Sequence, residues 1–162
     1  MDEIPNIFKD SFSNLEKTIQ TKHILEIVKE FELLLKEIIL NENISCQTNC
    51  LIDITQPTEK EPKKIRVNIA IPDQKKPKIF FIIKYIIDYP EVLMNYMIEV
   101  TMLREYFGKN VKIVYILHDF NQKFLEESIY QTLIKNMLEQ NYLDELLFLP
   151  KDFNKFLDLI KS

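Results

Sequence analysis

Apolar residues recur at spacings of three and four from Leu15 through Ile19, Ile24, Ile27, Phe31, Leu34, Leu35, Ile38 and Ile39, which predicts one long helix broken near Thr21-Lys22. Residues 1–10 read as a flexible arm before it, with Ser11 or Ser13 as candidate caps. Glu26, Glu30 and Glu37 fall on the opposite, solvated face, and Glu30 or Glu26 is a candidate for a site beside a sheet. After Asn41-Glu42-Asn43 the period changes to two. Ile44 to Thr55 predicts a first strand, with Cys46, Thr48, Cys50 and Ile52 on one face and Gln47, Asn49, Leu51 and Asp53 on the other. Lys64 to Ile71 and Lys78 to Ile87 are β-branched and aromatic runs separated by short polar turns, so strands one to three form an antiparallel meander.

Glu91 to Phe107 is helical in period and apolar almost all round, with Glu91, Asn95, Glu99 and Arg104 as a thin polar stripe; it stops at Gly108, the only glycine. Val111 to Leu117 is too apolar for an edge strand and must lie parallel to the third strand, because a crossover helix returns the chain to the same side. A helix from Asn121 with Phe124, Leu125, Ile129, Leu133, Ile134, Met137 and Leu138 as its buried face, a short strand Glu145 to Leu149 and a helix from Lys151 to Lys161 complete the chain. The expected fold is α/β: a mixed central sheet, three strands in a meander and parallel strands after a crossover helix, flanked by helices. It is one domain of 162 residues with a core over 24–117 and a helix-strand-helix extension over 121–162.

Composition narrows the chemistry. With a single glycine the chain cannot build a phosphate-cradling P-loop, a GxGxxG dinucleotide turn or a GxSxG nucleophile elbow. Cys46 and Cys50 are too few for a disulfide scaffold and wrongly spaced for a zinc knuckle, with only His23 and His118 elsewhere, so no metal is expected on them. No stretch approaches the ~20 apolar residues that span a bilayer. The expectation is a soluble cytoplasmic protein without a membrane partner. Charge is unevenly placed: Lys60, Lys63, Lys64 and Arg66, then Lys75, Lys76, Lys78 and Lys84, stand against only Glu61 and Asp73, a local +6 on a chain of formal charge −4. Lys63, Lys64, Arg66, Lys75, Lys76 and Lys78 are therefore candidate contacts to DNA or RNA, since affinity follows phosphates neutralised locally. The alternative reading is that Lys60 to Lys64 and Lys75 to Lys78 are solvated loop charges guarding strand edges.

The order of helix, meander, helix and parallel strand over Ile24 to Leu117 resembles the restriction-endonuclease-like core of PD-(D/E)xK nucleases and archaeal Holliday-junction resolvases. In that family an aspartate on the second strand and an acid-x-Lys on the third hold Mg²⁺, which activates water and stabilises the leaving oxygen of a phosphodiester. Arg66-Val-Asn-Ile-Ala-Ile71 matches the second strand with Asn68 at the aspartate position, and Ile79-Phe-Phe-Ile-Ile-Lys84 matches the third with Ile82 at the acid position and Lys84 retained. The resemblance implies that Lys84 and Asn68 mark a degenerate catalytic site without a metal, and that Mg²⁺ enters only where acids such as Asp53, Asp73 or Asp88 have relocated. Lys84 has a second reading, as a lysine that snorkels to solvent or pairs with Glu30 or Glu32. Three functions follow: an impaired nuclease-like domain that binds nucleic acid or serves as an assembly subunit, an active nuclease with Asp53 as a relocated acid, or a domain for dimerisation or protein contact through helix 91–107.

Overall fold

The run Lys112–His118 places Val114 and Ile116 on one face and Ile113, Tyr115 and Leu117 on the other, all buried, so this strand needs a layer of helices on each side. The computed structural model describes residues 4–84, 90–118 and 130–162, the backbone alone at 90–93 and 130, and supplies both layers. In chain order the elements are α1 (Asn6–Thr21), α2 (Ile24–Asn41), β1 (Gln47–Asp53), β2 (Lys64–Ile71), β3 (Ile79–Ile83), α3 (Pro90–Phe107), a 3-10 turn (Gly108–Asn110), β4 (Lys112–His118), α4 (Tyr130–Glu139), β5 (Glu145–Leu149) and α5 (Phe153–Lys161). The sheet order is β1-β2-β3-β4-β5, antiparallel through β3 and parallel after it. Helices α1, α2 and α5 cover one face through Leu35, Ile38, Phe153 and Phe156; α3 and α4 cover the other through Val100, Leu103, Ile134 and Met137. Among the described residues no helix is long and apolar enough to cross a membrane.

The helix breaks where the sequence placed the break, after Thr21, because the chain turns at Lys22-His23 and the His23 ring accepts the Leu25 N–H as an N-cap. The arm expected over residues 1–10 is helical from Asn6, since Phe8 and Phe12 pack on Phe153. The expected strand and final helix of the extension join the sheet and its core: β5 pairs with β4, and Phe153 and Phe156 are fully buried. The part of the expected helix over 121–129 and the end of the third strand over 85–89 lie outside the described residues.

The face assignment of β1 is overturned. Cys46 packs with the α1–α2–α5 layer, whereas Cys50 and Ile52 belong to the α3–α4 layer. Asn49 lies between them with φ 52°, a left-handed conformation that Asn tolerates and that breaks the pleat's alternation. The register stays constant across it, Thr48 with Ile69 and Cys50 with Val67, so no residue is inserted. Instead β2 changes phase with it, Val67 facing one layer and Ile69 the other.

Arg104 is a second correction. It is not part of a solvent stripe but 8% exposed. Its guanidinium donates to the carbonyls of Gly108, Val111 and Tyr142 and pairs with Asp144, whose carboxylate also accepts the Ile113 N–H at 2.7 Å. One side chain thus ties the end of α3, the left-handed Gly108 turn (φ 62°) and the starts of β4 and β5.

Candidate functional site

β2 and β3 are paired only from Ile69 to Ile71 against Ile79 to Phe81 and then part. Asn68 bridges the gap: its Oδ1 accepts the Ile83 N–H at 2.8 Å and its Nδ2 donates to Glu32 Oε2 of α2 at 3.0 Å. The acid that reaches the sheet from the helix pair is therefore Glu32. Glu30 instead binds Lys22 and the Thr18 hydroxyl, closing the α1–α2 corner, and Glu26 is within ion-pair distance of the same Lys22.

Lys84 lies just past β3, its N–H donating to Ile116 O at 3.0 Å. Strand alternation turns its side chain toward α3, where Nζ sits 3.4 Å from the centroid of the Tyr96 ring, 5.8 Å from that of Tyr115 and 3.6 Å from Glu99 Oε2. Its partner is Glu99, not Glu30 or Glu32. The side chain is only 13% exposed. Burial pushes its ammonium down to about 8, and Glu99 pulls it back up by less than burial takes away. The Tyr115 hydroxyl donates to Tyr96 O at 3.1 Å, and burial together with Glu99 holds both phenols above their usual range. Ile82 is buried in the same layer beside Phe80 and offers no polar atom.

The remaining candidates do not converge here. Asp53 is the exposed end of edge strand β1, two strands or roughly 10 Å from β3. Its carboxylate accepts the Thr55 hydroxyl and N–H, bonds that hold it below the ordinary range. Asp73 lies at the far end of β2 and accepts the amides of Lys75 and Lys76. Asp88 is outside the described residues. Lys63, Lys64, Arg66, Lys75, Lys76 and Lys78 are all exposed, but they form two groups rather than one patch. The first three sit at the Asp53 end of β2, with Lys63 on Glu59 and Lys64 opposite Asp53; the other three sit about 23 Å away, beyond Ile71.

The helix-flanked sheet in this order matches a solved structure of the restriction endonuclease PspGI in complex with substrate DNA, with a TM-score of 0.51 at 17% identity over 92% of this chain and 67% of that one. The fold is restriction-endonuclease-like. No protein-family model matches the sequence, and no curated protein matches it. At 17% identity the likeness is one of fold.

Within a restriction-endonuclease-like fold, Asn68, Ile82 and Lys84 occupy the parting of the two central strands, but their donors do not fit a Mg²⁺ ion. The amide oxygen of Asn68 is neutral and already accepts an N–H, and Ile82 has no oxygen. Among the described residues no group of three or more His, Cys, Asp or Glu side chains could hold a metal. Lys84 and Asn68 also turn to opposite sides of the sheet, one to α3 and one to α2. Glu99 and Glu32 are the acids that meet Lys84 and Asn68; the sequence marks Glu99 as one of the few polar positions of its helix and Glu32 as a candidate partner for Lys84, but not these contacts.

Asn68→Asp tests this arrangement. The new carboxylate would face Glu32 at hydrogen-bond distance, and with EDTA present to exclude bridging cations the variant is expected to lose about 1–3 kcal/mol at pH 7 in urea unfolding. The like charge raises the folded pKa of one acid above its unfolded value, so the loss is full above that folded pKa and shrinks as pH falls toward 4. A variant equally stable at pH 7 would show that Glu32 does not depend on the Asn68 amide.

Proposed function

We propose that this domain uses a restriction-endonuclease-like fold to bind nucleic acid and does not cleave it with a metal ion at Asn68, Ile82 and Lys84. The observation that carries the reading is the enclosure of Lys84: its side chain is 13% exposed, with the ammonium over the Tyr96 ring and paired with Glu99. An aspartate and a further acid are missing from the positions beside it, and the amide in their place is committed to Ile83 and Glu32. The structural neighbour is complexed with substrate DNA, and the exposed lysines of this chain offer cations to such a backbone. Fluorescence anisotropy on labelled duplex, single-stranded and branched DNA, with and without Mg²⁺, followed by denaturing gels of the same samples, is the test. Binding that weakens steeply with salt, without strand cleavage, is expected.

A second reading, contact with a protein, draws on α3. Met94 and Ile98 are 59% and 53% exposed on its outer side, where Met97, Thr101 and Met102 line a shallow apolar groove. Absence of nucleic-acid binding even at low salt would favour it. The relocated-acid nuclease has less support, because Asp53 is held by Thr55 at the sheet edge.

A further inference from the structure

We propose that the nucleic-acid backbone docks at the end of the sheet remote from Lys84, on Lys75, Lys76, Lys78, Lys109 and Lys112, and not beside the degenerate site. The proposal rests on the nucleic-acid reading above and says where that contact is made. The parallel pairing of β3 with β4 brings together lysines that are far apart in sequence: Lys112 N donates to Lys78 O at 2.8 Å, and Ile79 and Lys112 are register partners. The turn Gly108–Asn110 immediately precedes β4 and sets Lys109 at the same end. On the other side of Lys78, Asp73 accepts the Lys75 and Lys76 amides at 2.7 and 3.0 Å, and Lys78 N donates to Ile71 O, so the turn is closed and both lysine stems leave it outward.

All five lysines are exposed, and among the described residues none has a carboxylate within ion-pair distance. The Lys112 ammonium has Ser162 Oγ at 3.4 Å, and Glu145 and Asp158 bound the patch only on the α5 side, around a cavity that Lys112 shares. Asp73 and Asp144 also lie at this end, Asp73 with Oδ1 occupied by two backbone amides and Asp144 paired with Arg104 and accepting the Ile113 N–H. The Lys84 end differs. There Lys63 is paired with Glu59, Lys64 stands opposite Asp53 and Lys84 is enclosed, which leaves Lys60 and Arg66 as exposed cations against five at the other end. A cation already paired must break that pair before it neutralises a phosphate, so the counterion release that drives association favours the end with more free cations.

The test uses the full chain and labelled duplex DNA, with anisotropy read at several salt concentrations. One triple variant removes charge from the patch, Lys75→Gln/Lys76→Gln/Lys109→Gln; its counterpart removes three charges from the other end, Lys60→Gln/Lys63→Gln/Arg66→Gln. All six side chains are exposed, and thermal melting checks that both variants remain folded. The patch variant is expected to bind at least tenfold more weakly at low salt, with its log–log salt slope reduced by about 2–3, while the counterpart loses less than twofold. Equal losses, or a loss confined to the counterpart, would overturn the placement and leave the nucleic-acid reading standing. Absence of wild-type binding at low salt would overturn that reading itself.

Discussion

Replacing Arg104 with methionine is expected to cost about 3–5 kcal/mol and to lower the melting temperature by roughly 10 °C. Methionine keeps most of the stem's volume but leaves three carbonyls, those of Gly108, Val111 and Tyr142, without the donor that satisfied them. It also leaves Asp144 beside the sheet without its counter-charge. The cost is concentrated where α3 hands over to β4, since the same carboxylate holds Ile113 N at the strand's first buried residue. Arg104→Lys restores charge but not the planar fork that serves several acceptors at once, so it should recover less than half of the loss. Urea unfolding of both variants checks the account; a loss below 1 kcal/mol for Arg104→Met would show that water replaces the guanidinium without penalty.

Lys84→Met is expected to act in the opposite direction, stabilising the domain by about 2–3 kcal/mol at pH 7, because a buried ammonium is costly and methionine fits among Tyr96, Tyr115 and Ile82. The pH dependence follows from a folded pKa of about 8 against an ordinary value of 10.5. Below about 8 both folded and unfolded lysine are charged and the full cost is present. Between 8 and 10.5 the unfolded chain binds the extra proton, so wild-type stability rises with pH relative to the variant and the difference closes. Tyrosine ionisation is common to both proteins and cancels in the difference. A variant less stable than wild type at pH 7 would mean that the Glu99 pair and the ring contact outweigh desolvation.

The meander, the crossover and the strand at Glu145–Leu149 were legible because each is written in a local period bounded by Pro, Gly or Asn. The order of elements followed from the same patterns, and the restriction-endonuclease-like fold it resembles is the one observed. Three features were not legible, for one physical reason: each depends on rotation or register between segments distant in sequence. Lys84 meets Glu99 because α3 presents that residue to the end of β3. Arg104 is buried because its side of α3 faces the Gly108 turn and Asp144, 40 residues on. Lys78 and Lys112 are neighbours only through parallel pairing. The left-handed Asn49 is different in kind: alternation along Cys46 to Ile52 gives no sign that the strand changes phase, and only the division of Cys46 and Cys50 between two layers reveals it.

The most direct test of the central claim is the fate of DNA held by the protein at saturating concentration with Mg²⁺ or Mn²⁺. Intact strands on a denaturing gel, alongside salt-sensitive binding that persists in EDTA, are the predicted result. Metal-dependent cleavage that disappears in Lys84→Met or Asp53→Ala would contradict it and establish an active nuclease with relocated ligands.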